Sequence, residues 1–139
     1  MNRFLADSNI VRFCADDRYD ELCAEVLDIL DDYGNRIYVP SKCVEELIYQ
    51  QQSKKMPKYR WKNAERVIDF ILDSGFGIKY VAEEHLRTLS NLPLFNDHKD
   101  ITDRIIIAQA ITEGIPLISS DRKFQYYARY GLNFVFNER

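Results

Sequence analysis

No stretch of this sequence approaches the roughly 20 consecutive apolar residues that a membrane-spanning helix requires, so no membrane association is expected. The apolar run after Arg3 breaks at Asp7 with no small-residue cleavage site behind it, and residues 1–11 do not read as a signal peptide. Cysteine is scarce. Cys14, Cys23 and Cys43 form no C-x-x-C pair and cannot all be bridged to one another. That usage suits a reducing cytosol and casts them as small buried apolar side chains, so a cytoplasmic protein is expected. A positive charge excess is also missing: 19 Lys and Arg stand against 22 Asp and Glu, a formal charge of −3. Bulk electrostatics alone therefore does not grip nucleic acid here. A nucleic-acid enzyme remains open, because clustered carboxylates lower the net charge while metal neutralises them locally. The two histidines, His85 and His98, lack H-E-x-x-H or a comparable ligand spacing.

There is no internal repeat, no low-complexity tract and no linker long enough to divide the chain. With 139 residues, 46% of them apolar, one substantial core is affordable, and a single domain spanning residues 1–139 is expected. Arg3 to Ala6 reads as a strand, followed by a helix opening at Ser8 or Asn9. "YDELCAEVLDILDDYG" has helical spacing and closes on Gly34; "RIYVP" is a second strand and "CVEELIYQQQ" a helix. "KNAERVIDFILDSG" repeats the helical pattern, "IKYV" is a third strand, and "AEEHLRTLSNL" a helix before a loop around Pro93 and Asn96. "DITDRIIIAQAITEG" is a strong helix, "IPLISSD" a strand stopping on an acid, and "NFVF" a terminal strand after "RKFQYYARYG". Strands alternating with helices imply parallel pairing and right-handed crossovers. The expected fold is a three-layer α/β/α sandwich around a central, mainly parallel twisted sheet.

In such a sheet the ligand site lies beyond the carboxyl ends of the strands. Asp7 follows the first strand at that end and Asp121 follows a later one. Glu46 sits about one turn into a helix, Asp103 stands near the start of another, and Asp100 is three residues before it. Each acid also has an ordinary reading as a helix cap or as a charge at the positive end of a helix dipole. Their joint placement is what points elsewhere. Four or five converging carboxylates repel one another unless a cation holds them, and hard oxygen ligands suit Mg²⁺ or Mn²⁺. Such a site supports phosphodiester hydrolysis with water as the nucleophile.

The same residues carry a resemblance. The chain is similar to PIN-domain nucleases, and specifically to VapC-like toxins of type II toxin–antitoxin systems. "LADSNIV" resembles that family's opening motif of an Asp, a Ser or Thr and an Asn; "VPSKCVEEL" resembles the second and places its Glu on Glu46. "HKDITDRIIIAQA" is close to the third, mapping the metal acid to Asp103 with Asp100 as a neighbour, and "PLISSDRKF" matches the fourth at Asp121. Pro40 departs from the small polar residue frequent there, and residues 51–63 follow no motif. The resemblance implies a metal-dependent ribonuclease in which Asp7, Glu46, Asp103 and Asp121 bind one or two Mg²⁺ or Mn²⁺ ions. It further implies a homodimer and, for a toxin, a cognate antitoxin that blocks the site.

Around this set, Asn9 and Ser119 are candidate hydrogen-bonding partners of the ligands, against ordinary capping. Lys99, Arg104 and Lys123 flank the acids and are candidate RNA-phosphate contacts; Arg104 has the alternative of pairing with an acid and orienting it. "SKKMPKYRWKN" mixes Lys54, Lys55, Lys58, Arg60 and Lys62 with Tyr59 and Trp61, a composition fit either for RNA contact or for a solvated helix entrance. His85 reads as a surface or helix-packing residue, and His98, just before the third motif, as a residue that could touch RNA. The tyrosines of "QYYARYG" read as packing and dimer surface. Two other Asp-bearing α/β classes fit worse. A haloacid-dehalogenase-type phosphatase needs a second Asp where Asn9 stands, and a receiver domain needs a lysine where "LISSD" supplies an acid. A non-catalytic scaffold that binds protein or RNA is the rival of a different class, and it gives no physical reason to keep repelling charges together.

Overall fold

The computed structural model of the protein describes residues 2–53 and 61–139. Among them five strands, β1 (Arg3–Ala6), β2 (Arg36–Pro40), β3 (Gly77–Lys79), β4 (Leu117–Ser119) and β5 (Phe134–Phe136), form one sheet in the order β3-β2-β1-β4-β5. Every neighbouring pair runs parallel, with Leu5 in register with Tyr38 on one side and Leu117 on the other. Leu5 and Ala6 are fully buried, as are Leu117, Ile118 and Ser119. Successive strand residues point to opposite faces, so both faces of the central strands are covered and the fold is an α/β sandwich.

The covering elements are α1 (Ser8–Ala15), α2 (Ala24–Asp31), α3 (Ser41–Gln52), α4 (Glu65–Asp73), α5 (Glu83–Ser90) and α6 (Ile101–Glu113), with 3-10 segments at Tyr19–Glu21 and Arg122–Tyr130. In α6 the run Ile105 to Ala110 is buried on all sides, as expected of a helix set inside a core rather than on its surface. It starts on the Asp100 cap, whose Oδ1 accepts the Asp103 N–H at 2.9 Å, and ends on Gly114 at φ 67°. Helix α5 is pinned to α6 by His85, which accepts the Ala82 N–H at Nδ1 (2.9 Å) and meets Glu113 through Nε2 (2.9 Å). Glu113 also pairs with Lys79 at 2.8 Å, so His85 takes the helix-packing role and is buried.

The continuous helix expected over residues 19–34 is interrupted. A 3-10 turn covers Tyr19–Glu21 and α2 begins only at Ala24, because the side chain of Asn137 reaches in: its Oδ1 accepts the Cys23 N–H (2.8 Å) and its Nδ2 donates to Glu21 O (2.9 Å). The third strand sits one residue earlier than "IKYV" and opens on Gly77. A Cβ at Gly77 would lie 2.8 Å from Tyr38 Cδ1, so glycine lets β3 close on β2.

This topology fixes where a ligand can sit. From β1 the chain runs outward through β2 to β3, then returns past β1 to β4 and out to β5. The connections therefore diverge between β1 and β4, and the crevice at the carboxyl ends of these two strands is the topological switch point. Asp7 N–H donates to Ile118 O at 2.9 Å, stitching the first acid to the strand that precedes Asp121.

Candidate functional site

Asp7, Ser8, Asn9, Arg12, Glu46, Gln50, Asp103 and Asp121 line one cleft of about 210 Å³ at the switch point. Asp7 follows β1 and caps α1. Glu46 projects from α3, Asp103 from the first turn of α6, and Asp121 from the turn after β4. The acids that the sequence scatters along the chain thus share one cavity.

Asp7 is 5% exposed and its carboxylate is saturated with donors. Oδ1 accepts the Ser8 N–H (2.8 Å) and lies 3.6 Å from the Cys43 thiol; Oδ2 accepts from Ser119 Oγ (2.7 Å) and Asn9 Nδ2 (3.2 Å). Ser119 and Asn9 work in both directions. Ser119 Oγ also accepts the Asp121 N–H (3.1 Å) and Asn9 Oδ1 accepts the Ser120 N–H (3.3 Å), tying the turn after β4 to the start of α1. Ser8 Oγ donates to Glu46 Oε1 at 2.7 Å and orients it. Asp121 Oδ1 accepts the Lys123 N–H (2.9 Å). Capping and cleft lining coexist at Asp7 and Asp121: the Asp121 cap engages Oδ1, and the Asp7 cap engages Oδ1 while Oδ2 is held by Ser119 and Asn9.

Crowding shows in the acidity of the group. Burial pushes the Asp7 carboxyl up to about 6, against the pull of the Ser119 and Ser8 hydrogen bonds, with the Glu46 charge adding to the rise. Asp103 is pushed up to about 8, first by burial and then by the negative charges of Asp7, Asp100, Asp121 and Glu46. A site that holds protons on carboxylates near neutrality is one a divalent cation fits, because an adjacent double positive charge reverses both effects. Asp7, Glu46, Asp103 and Asp121 offer oxygen donors only, which matches Mg²⁺ or Mn²⁺. Asp100 is exposed and spends Oδ1 on its cap.

Several residues stand apart from the sequence reading. His98 is buried, with Nε2 3.2 Å from Asp103 Oδ2 and Nδ1 2.8 Å from the Tyr127 hydroxyl, so it faces the acids and not the exterior. His98, Asp103 and Asp121 each present a ligand atom within 4.8 Å of the others. Arg104 Nη1 donates to Pro93 O (2.6 Å) and Nη2 to Leu92 O (3.4 Å), so its guanidinium fastens the preceding loop rather than an acid. Lys123 Nζ donates to Asp97 O (2.8 Å), and Lys99 is exposed. The cation in the cleft lining is Arg12, whose Nη1 donates to Gln50 Oε1 at 3.2 Å. Arg12 stands four residues after Ser8 and Gln50 four after Glu46, the spacing of one helix face, and that was the available signal for both. In the basic-aromatic segment, Trp61 is buried against Phe70 with ring centroids 5.7 Å apart, so it packs and offers no platform for a base. Lys54, Lys55, Lys58, Tyr59 and Arg60 lie outside the described residues.

Comparison with known proteins agrees with this fold. Solved structures of the same fold include VapBC2 from Rickettsia felis bound to a DNA fragment from their promoter, at TM-score 0.69 and 17% identity over 98% of this chain and 99% of that one. VapBC-1 from nontypeable Haemophilus influenzae matches at TM-score 0.64 and 19% identity, covering 96% and 97%. DNA-bound VapBC from Salmonella typhimurium matches at 0.61 and 14%, covering 98% of each chain. No curated protein sequence matches the chain. The PIN domain profile matches residues 5–130, which span all four cleft acids and every strand from β2 to β4. The chain belongs to the PIN domain family.

Proposed function

We propose that the protein is a metal-dependent endoribonuclease, the toxin of a type II toxin–antitoxin pair, acting in the cytoplasm as a single PIN-like unit that forms a homodimer. The observation that carries the hydrolytic reading is the meeting of Asp7, Glu46, Asp103 and Asp121 in one cleft at the switch point of the sheet. These four would hold the ion or ions, with Asp100 at the margin. A bound Mg²⁺ or Mn²⁺ supplies Lewis acidity for attack by water and neutralises charge on the phosphoryl group. The chain's own work is positional: Ser119 and Asn9 fix Asp7, and Ser8 fixes Glu46. No side chain has to act as the nucleophile. Lys99 and Lys123, beside the cleft acids in sequence, meet the RNA backbone, and Arg104 holds the loop at Leu92 and Pro93. The toxin assignment is supported by the likeness to VapBC structures, and it brings a cognate antitoxin as partner.

Purified protein is expected to cleave labelled RNA with Mn²⁺ or Mg²⁺, to lose cleavage in EDTA, and to lose it in D7N. Cleavage indifferent to both would reject the reading. Binding of RNA without cleavage would favour the scaffold alternative. Growth of a bacterium expressing the chain with and without its adjacent open reading frame tests the toxin half; no growth defect in either case overturns it.

A further inference from the structure

His98 lies 4% exposed on the turn that leads into α6. Its Nε2 is 3.2 Å from Asp103 Oδ2 and its Nδ1 is 2.8 Å from Tyr127 Oη. One proton arrangement satisfies all three groups when Asp103 is ionised: the Tyr127 hydroxyl donates to Nδ1, and Nε2–H donates to the carboxylate. The ring has little freedom to turn, being packed edge-on to Phe124 at 5.7 Å and Tyr127 at 5.4 Å between centroids. Its turn is fastened as well. Arg104 holds Pro93 O, the Phe95 ring stands edge-on to Tyr127 at 5.2 Å, and the His98 N–H donates to Phe95 O at 3.3 Å.

We propose that His98 is a positioning residue: the hydrogen-bond chain from Tyr127 through His98 holds the Asp103 carboxylate in the orientation that ligates the divalent ion. This rests on the metal-centre reading above. The rival use of the same ring is direct ligation through Nε2, with Nδ1–H donating to the Tyr127 oxygen instead; the 3.2 Å contact of Nε2 with the ionised Asp103 carboxylate favours a proton on that nitrogen, which leaves no lone pair there for an ion. Ligating carboxylates are commonly held by such outer hydrogen bonds, and losing one weakens metal binding about 10- to 100-fold.

The test is a Mn²⁺ titration followed by electron paramagnetic resonance, on wild type, H98A, H98Q, Y127F, D103N and H98A/D103N, with thermal unfolding of each. H98A is expected to weaken Mn²⁺ binding about 10- to 100-fold. H98Q, whose amide nitrogen can donate from the place of Nε2, recovers most of that loss, and Y127F loses less than H98A. In the D103N background H98A has no further effect, because its influence passes through the carboxylate. Full Mn²⁺ affinity in a folded H98A, a loss in H98Q as large as that in H98A, or losses that add in the double variant, would overturn the proposal. So would a directly coordinated ¹⁴N coupling in the electron spin echo spectrum of the wild type, which would make His98 a ligand. A wild type that binds no Mn²⁺ sinks the metal centre and this role together. Mn²⁺ binding without RNA cleavage sinks the nuclease reading and leaves the positioning role standing.

Discussion

Ser119 shows how much a single hydroxyl carries. It donates to the buried Asp7 carboxylate at 2.7 Å and accepts the Asp121 N–H, so it joins two of the cleft acids with one atom. Its bond favours ionised Asp7, whose carboxyl otherwise rises with burial. S119A is therefore expected to destabilise the protein by about 1–3 kcal/mol above the Asp7 value near 6, and by less at pH 4 where Asp7 is protonated. Urea unfolding at pH 4 and pH 8 measures both, and an equal loss at the two would contradict the account. Asp7, Glu46, Asp103 and Asp121 were legible in the sequence because strand ends and helix starts announce where a side chain emerges. The role of His98 was not: it comes from Tyr127, on another element, and no local pattern encodes that. Arg12 carried a partial signal in its spacing from Ser8, while its partner Gln50 lies on another helix.

At the scale of the element, Asp100 is both the cap of α6 and a charge beside Asp103, and these two roles can be separated. Asn caps as well as Asp, so D100N is expected to keep stability within a few tenths of a kcal/mol, while D100A loses about 1 kcal/mol. Both remove the negative charge that helps hold Asp103 up, so both ease metal-free Asp103 toward ionisation. Unfolding free energies of the pair, set beside their Mn²⁺ affinities, distinguish cap from ligand. Equal destabilisation by D100N and D100A would exclude the capping account. Elements with uniform local signals, such as the parallel strands and α6 with its apolar run from Ile105 to Ala108, were readable from the sequence pattern. The break before α2 was not, because the bond that makes it links Cys23 to Asn137 across 114 positions.

For the whole molecule, the crowded acids predict a pH dependence. Asp103 has a folded value of about 8, above the ordinary 3.8, so the stability it contributes is complete below about pH 4 and disappears as pH rises through 8. Asp7 behaves likewise through about 6. His98 runs the other way, its value being lowered by burial, so a window above 6.5 leaves Asp103 as the dominant group. At about 1.4 kcal/mol per unit, raising pH from 6.5 to 8.5 costs the metal-free protein about 2 kcal/mol, a fall of several degrees in Tm. Saturating Mg²⁺ is expected to cancel that fall, since an ion that binds ionised carboxylates stabilises most where they are most repelled. Calorimetric scans with EDTA and with Mg²⁺ at the two pH values decide it, and a Mg²⁺ effect equal at both would refute the linkage.

The sheet order β3-β2-β1-β4-β5 has a temporal meaning as well. Asp7 and Glu46 belong to the portion of the chain that a ribosome releases early, whereas the Ser119 hydroxyl that locks Asp7 arrives 112 positions later, and β5 has yet to flank β4 at that point. A nascent polypeptide thus carries Asp7 and Glu46 well before Asp103, Asp121 and the Ser119 hydroxyl exist to complete the cleft.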